Sequence, residues 1–144
     1  MKFVTRGNIG VDRVAVPWLI RKFVEPKAEF IFVPENQVFD VAKREGAITF
    51  DMHGKGDIDH KGNKCSFEGA VAKYGLTDPA VLEMARIVHA TDIVPDRNTA
   101  PEAAGLMAIA QGFQLLYADD NDRLINQLPV YDALYAYCRA KLGK

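Results

Sequence analysis

The sequence predicts a single α/β domain over residues 1–144, in which a small, mostly parallel sheet in the N-terminal half packs with a helical C-terminal half. The first half alternates short runs rich in β-branched and aromatic residues with helix-like runs, whereas the second half holds only helix-like runs. The chain has the length of one domain, and 49% hydrophobic residues are enough for a full core. An α+β arrangement is the alternative interpretation.

The first strand and the first helix are predicted near the N-terminus. Lys2 to Arg6 is a short β candidate, and a helix is expected from about Val11 to Val24 with an apolar stripe along one face. Asp12 is the expected N-cap of this helix. Pro17 removes one hydrogen bond, so the helix either begins near it or is kinked there.

A second strand, a second helix and a third strand follow. Glu29 to Val33 is rich in aromatic and β-branched residues and predicts a strand. A helix capped by Asn36 is expected to end at Gly46, and Ala47 to Met52 predicts the third strand. Right-handed crossovers would make these strands parallel. His53 to Lys64 is a long glycine-containing loop, and loops of this length are often functional.

The remaining residues predict helices joined by short connections. Ser66 is the expected cap of the first helix, and Asp78-Pro79 is expected to open the second, since proline suits the first helical position. Val94 to Ala100 is predicted to be a loop, and Pro129 to break or kink the last helical segment. Helices are predicted over residues 66–74, 79–91 and 101–118, and residues 119–140 are predicted to hold one or two more.

Charge and hydropathy exclude several classes of partner. The net charge of −1 does not provide the basic surface typical of nucleic-acid binding, nor does it favour anionic membranes. No segment has the apolar length of a membrane span, and the N-terminal residues do not form a signal peptide. We therefore expect a cytoplasmic domain that binds neither membrane nor DNA.

Side chains able to bind a metal ion concentrate in the middle of the sequence, including all three histidines. We predict that His60, Glu68, His89 and Asp92 converge on one divalent transition metal, with zinc or iron favoured by carboxylate and imidazole ligands. The alternative is that these residues are solvated loop residues and helix-end residues. The complete set of candidates is Asp51, His53, Asp59, His60, Cys65, Glu68, His89 and Asp92.

The two cysteines differ in their sequence surroundings. Cys138 lies in an apolar helical pattern typical of a core residue. Cys65 precedes a helix start and is followed three positions later by Glu68, and nearby Lys61 and Lys64 would lower the pKa of its thiol. Cys65 is thus a reactive sensor thiol, a metal ligand or an inert buried thiol.

Two arginines are candidates for binding an oxyanion. Arg13, with Arg21 and free helix amides, would hold such an anion at the start of the first helix, and Arg86 is a second candidate. The alternative for both is a structural salt bridge.

Several separate motifs resemble the C-terminal domain of the ChrB chromate-resistance family. They are distributed along nearly the whole chain, at residues 11–20, 30–34, 46–51, 60–68, 85–92, 101–106, 119–120 and 130–135. The resemblance implies a link to chromate resistance, with chromate as a possible oxyanion ligand. Longer members are described as chromate-responsive regulators with an extra N-terminal region.

Three functions remain open from the sequence. The first is a metal- or oxyanion-binding pocket with a sensing or detoxifying role, located where the end of the third strand meets the His53–Cys65 loop and the His89–Asp92 helix. The second is metal- or thiol-assisted catalysis, with Cys65, Glu68 and Asp51 as the catalytic candidates. The third is a non-catalytic interaction module, for a partner protein or a homodimer.

Overall fold

A computed structural model of the chain, which describes residues 1–143, contains a three-stranded parallel sheet at the N-terminus. The strands are β1 (Lys2–Arg6), β2 (Glu29–Val33) and β3 (Ile48–Thr49), in the spatial order β2-β1-β3. β1 pairs with β2 along its whole length, but with β3 only at Phe3 and Val4. The prediction of a small parallel sheet beside a helical C-terminal half is confirmed.

The sheet separates two apolar cores, because successive side chains of a strand point to opposite faces. Phe3 lies in the large core, which is shared with the helices of the second half. Val4 lies in a smaller core with Val38, Val41 and Met52. This layering places α1 (Asp12–Phe23) on the side of the large core and α2 (Val38–Glu45) on the other.

The first two helices begin differently from their predictions. α1 runs through Pro17 and is buried along most of its length, with Val11 rather than Asp12 at the N-cap. A 3-10 turn over Glu35–Gln37 precedes α2, which therefore begins two positions after the predicted cap, Asn36. α2 ends as predicted at Gly46, which adopts a left-handed φ of 65°.

β3 is shorter than the predicted Ala47–Met52 strand because the chain turns away from the sheet. Phe50 still donates its N–H to the carbonyl of Val4 and forms an isolated bridge with Ile58. Asp51 then takes a left-handed φ of 52°, which a regular strand does not accommodate. The turn brings the polar loop back across the end of the sheet, where the candidate site lies.

Four α-helices and one 3-10 helix make up the second half. They are α3 (Ser66–Lys73), α4 (Pro79–Asp92), the 3-10 helix Val94–Thr99, α5 (Ala103–Leu116) and α6 (Asp120–Lys141). Asp78 caps α4 as expected, whereas Cys65 takes the N-cap of α3 in place of the predicted Ser66.

α6 is one helix containing Pro129. Pro129 has no N–H to donate to the carbonyl of Ile125, four positions earlier, and Ile125 is exposed on the surface of the helix. Within residues 1–143, no helix is both long enough and apolar enough to cross a membrane.

The approach of α3 to the loop backbone leads to a stability prediction. A Cβ built on Gly69 would lie 2.7 Å from the carbonyl oxygen of Asp59. Gly69→Ala is therefore expected to destabilise the domain by about 1–3 kcal/mol, although alanine in an open helix position is favoured by about 1 kcal/mol. The free energy of unfolding in urea is the measurement.

Gly105→Ala in α5 is the matched control, because its added Cβ has no heavy atom within 4 Å. It is expected to be neutral or to stabilise the domain by about 0.5–1 kcal/mol. Equal stabilisation by Gly69→Ala and Gly105→Ala would contradict the close packing of α3 on the loop.

Candidate functional site

Four ionisable side chains meet at the carboxyl end of the sheet and form what we call the carboxylate–histidine cluster: Asp12, Asp51, His60 and Asp92. Asp12 is the first residue of α1, and Asp51 is the second residue after β3. His60 lies in the loop before α3, and Asp92 is the last residue of α4. Nε2 of His60 lies 3.0 Å from Asp51, 3.5 Å from Asp92 and 3.7 Å from Asp12, each measured to a carboxylate oxygen. One imidazole nitrogen thus faces three carboxylates.

Asp12 is held in this cluster by the backbone of another helix. Its side chain is 1% exposed, and its two oxygens accept the N–H groups of Ser66, at 2.8 Å, and of Phe67, at 3.2 Å. These are free amides in the first turn of α3, where a carboxylate is favoured. The prediction that Asp12 caps its own helix is therefore wrong. It contributes to the first turn of α3 instead, 54 positions along the chain.

Asp51 is placed by an unusual backbone conformation. A left-handed φ is costly for a residue other than glycine, and such residues are frequent at functional sites. The Asp51 carboxylate accepts a hydrogen bond of 2.7 Å from the Ser66 hydroxyl. It also lies 3.5 Å from a guanidinium nitrogen of Arg6 and 3.6 Å from one of Arg13.

The loop that carries His60 is organised by Asp59. The Asp59 carboxylate accepts backbone N–H groups at 2.6–2.8 Å, from Met52, Gly54, Gly56 and His60. Because these bonds occupy both of its oxygens, Asp59 shapes the loop and does not face the cluster. His53, the other loop histidine, is paired at the surface with Glu35. Neither of these two candidates is brought to the site.

The carboxylates of the cluster have divergent proton affinities. Burial, followed by the charges of Asp92 and Asp51, raises the pKa of Asp12 well above its ordinary value. Burial and the Asp51 charge likewise raise the pKa of Asp92. The pKa of Asp51 is lowered: burial acts against this, but hydrogen bonds from His60 and Ser66 and the charge of Arg13 outweigh it. The hydrogen bond to Asp51 raises the pKa of His60 to about 9. Asp12, His60 and Asp92 therefore hold their protons more tightly than the same groups would in water.

A second group, the thiol–histidine cluster, consists of Cys65, Glu68, His89 and Asp96. His89 Nδ1 lies 2.5 Å from Oε1 of Glu68, and His89 Nε2 lies 2.6 Å from Oδ2 of Asp96. Ligand atoms of Cys65, Glu68 and His89 lie within 4.8 Å of one another. Glu68 also accepts the Cys65 N–H at 3.0 Å, which forms a capping box at the start of α3.

The structure contradicts the expected lowering of the Cys65 pKa. Cys65 is fully buried, and burial raises the pKa of its thiol, with the charge of Asp12 adding to the effect. Lys61 and Lys64, which were expected to favour the thiolate, are exposed. Cys138 is buried in α6 as predicted, and burial raises the pKa of its thiol to about 11.

The four predicted metal ligands divide between the two clusters. The predicted convergence of all four on one ion is not observed: His60 lies beside Asp92, whereas Glu68 lies beside His89 in the other cluster. The division arises because His89 points to the start of α3 and to Asp96, while Asp92 points to the end of the sheet. Metal binding by these residues stays a prediction.

Sequence reasoning missed Asp12 and Asp96 as members of these clusters. Asp12 was assigned to its own helix, and Asp96 lies in the segment predicted to be a loop. The only sequence signal for Asp12 was its position in the first family-like motif, beside Arg13.

The two predicted oxyanion-binding arginines have different surroundings. The guanidinium of Arg86 is held by both carboxylate oxygens of Glu83, at 3.1 and 2.7 Å, and by the carbonyl of Thr99.

Arg13 donates Nη2 to the carbonyl of Asn8, while its buried Nε and Nη1 have no hydrogen-bond partner within residues 1–143. Arg13 lines a cavity of about 350 Å³ together with Arg6 and the carboxylate–histidine cluster. Arg21 bonds the carbonyl of Ala28 and contacts the ring of Phe30, away from this cavity.

These features define a class: a small α/β domain with a buried carboxylate–histidine cluster beyond the carboxyl ends of its parallel strands. The family model described as ChrB, C-terminal domain, matches residues 3–138. The chain therefore belongs to the ChrB C-terminal domain family, as the motifs in the sequence indicated.

A curated relative supports the same assignment. Protein ChrB of Cupriavidus metallidurans (strain ATCC 43123 / DSM 2839 / NBRC 102507 / CH34) is 30% identical over 138 residues, which are 94% of this chain. The chain spans 40% of the length of that relative. No solved structure matches the chain.

Proposed function

We propose that this chromate-resistance domain binds a divalent transition metal ion through Asp12, Asp51, His60 and Asp92, and that Arg13 holds an oxyanion beside that ion. The observation that carries the proposal is the single imidazole nitrogen of His60 within 3.7 Å of three carboxylates from separate parts of the chain. Without an ion, this acid is balanced by His60, Arg6 and Arg13 and by retained protons, and a divalent cation would take the place of those protons.

The spacing of these side chains suits a metal ion. Tetrahedral ligands at about 2.1 Å from an ion lie about 3.4 Å apart. The distances from His60 to the three carboxylates, 3.0–3.7 Å, bracket that value. Ligand atoms of Asp12, Asp51 and His60 also lie within 4.8 Å of one another, and Asp92 is the fourth candidate ligand, beside His60. One imidazole and three carboxylates suit iron(II), manganese(II) or zinc(II). The family resemblance supports the choice of a chromate-related ligand but not the metal itself.

The arginines beside the cluster provide the anion-binding part of the proposal. Buried Nε and Nη1 of Arg13 have hydrogen-bonding capacity to spare, and Arg6 lines the same cavity. A guanidinium recognises a tetrahedral oxyanion such as chromate through paired N–H groups. Three carboxylates repel such an anion, so the metal ion is expected to bind first. Through this pocket the domain would sense chromate or take part in its detoxification.

The metal part is tested by titrating the chelator-treated protein with manganese(II), which disfavours thiolate ligands. We expect one ion per chain, with affinity reduced more than about 100-fold in His60→Gln and Asp92→Asn, since loss of an outer partner alone costs about 10–100-fold. His53→Gln is the matched control, because His53 is exposed and lies outside the cluster. Equal affinity in His53→Gln and His60→Gln would refute the site.

The oxyanion part is tested by calorimetric titration with chromate. Binding is expected in the metal-loaded protein and strongly reduced without metal or in Arg13→Gln, which removes the charge but retains hydrogen-bonding groups. Arg86→Gln should bind as wild type, because Arg86 is engaged by Glu83. Chromate binding that is unaffected by Arg13→Gln would remove Arg13 from the proposal.

A further inference from the structure

The thiol–histidine cluster is not used by the proposed function, yet it has the geometry of a second metal centre. A thiol, a carboxylate and an imidazole nitrogen lie within 4.8 Å of one another, from Cys65, Glu68 and His89. Cysteine, histidine and acidic residues are the side chains that bind zinc in proteins. They are held in place by the first turn of α3 and by the last turns of α4.

The two ring nitrogens of His89 have distinct partners. Nε2 contacts Asp96, and Nδ1 is directed at Glu68 on the side of Cys65. A metal-binding histidine commonly donates its second ring N–H to a carboxylate, which fixes the orientation of the ring. Asp96 occupies the position of that outer carboxylate.

We propose that Cys65, Glu68 and His89 bind a second divalent ion of the zinc type, and that Asp96 is a positioning residue for His89. Oε1 of Glu68 accepts the Cys65 N–H. A carboxylate has two acceptor oxygens, so Glu68 can accept this bond and also bind an ion. Three protein ligands are the number found in zinc sites with an open fourth position. Glu68 and His89 also line a cavity of about 540 Å³, which provides room for a ligand at that position.

A competing arrangement needs no metal: a protonated His89 bonded to Glu68 and Asp96 as a structural ion pair. The two arrangements differ in the state of Cys65, which is a thiolate only when it binds an ion. A probe that detects a metal–sulfur bond therefore separates them.

Cobalt(II) titration of the full-length chain is the test, followed through the sulfur-to-cobalt charge-transfer absorption in the near ultraviolet. The band is expected in wild type, lost in Cys65→Ser and retained in Cys138→Ser, the matched control with a buried cysteine in α6. Asp96→Asn is expected to retain the band but to lower cobalt affinity about 10–100-fold.

Two results would overturn the proposal: absence of the band in wild type, or its persistence in Cys65→Ser. If Cys65→Ser does not fold, X-ray absorption of the zinc-loaded wild type decides, since a sulfur neighbour at about 2.3 Å is required. His60→Gln should retain the band whether or not the carboxylate–histidine cluster binds metal. Failure of one site is thereby distinguishable from failure of the other.

Discussion

Asp12→Ala is expected to destabilise the metal-free domain by about 2–6 kcal/mol, because it leaves two buried backbone N–H groups of α3 without an acceptor, at about 1–3 kcal/mol each. The side chain is 1% exposed, so water does not readily replace the lost carboxylate. Urea denaturation in the presence of a chelator measures the effect without a metal contribution.

A second substitution separates hydrogen bonding from charge at the same position. Asp12→Asn keeps an acceptor oxygen for Ser66 and removes the repulsion from Asp51 and Asp92, so it is expected to cost less than Asp12→Ala. Asp122→Ala is the control, since Asp122 is an exposed residue in the first turn of α6. A loss below about 1 kcal/mol for Asp12→Ala would contradict its role in the first turn of α3.

The free energy of unfolding of the metal-free domain is expected to fall as the pH rises from about 6.5 to above 9. The hydrogen bond to Asp51 raises the pKa of His60 from 6.5 to about 9, so the folded state binds this proton more tightly than the unfolded state does. The stabilisation is complete below the unfolded pKa and is lost as the pH passes the folded pKa. One pKa unit corresponds to about 1.4 kcal/mol in the free energy of unfolding. Because the ring is 34% exposed, solvent screens the interaction, and the His60 proton is expected to contribute about 1–2 kcal/mol.

Urea unfolding of wild type and His60→Gln at pH 6 and pH 9.5 measures this contribution. The buried thiols also have raised pKa values, so wild type loses further stability at alkaline pH, and the difference between the two proteins isolates His60. Parallel pH profiles for wild type and His60→Gln would show that the His60–Asp51 contact does not stabilise the fold.

Local patterns in the sequence were sufficient for most elements of the fold. The strands β1 and β2, the start of α4 at Asp78-Pro79 and the end of α2 at Gly46 follow from side-chain shape and backbone preferences that act over a few residues. The family motifs also contain every residue of the two clusters except Asp96. Prediction failed at the end of β3, where the chain turns back to pair with Ile58, and at the cap of α3, where Cys65 and Glu68 form a local capping box one position before the predicted cap.

The grouping of the site residues was decided by tertiary structure alone. Asp12 meets the amides of α3 across 54 positions, and a left-handed Asp51 turns its carboxylate toward Ser66 and His60. No spacing rule describes such contacts, because they depend on how α1, α3 and α4 pack. By itself the sequence determined the fold class, the family and the ionisable residues from which a site can be built. Packing then divided those residues between two clusters and buried Cys65. Because burial disfavours the charged thiolate, it raises the pKa of this thiol, which the neighbouring lysines in the sequence would otherwise lower.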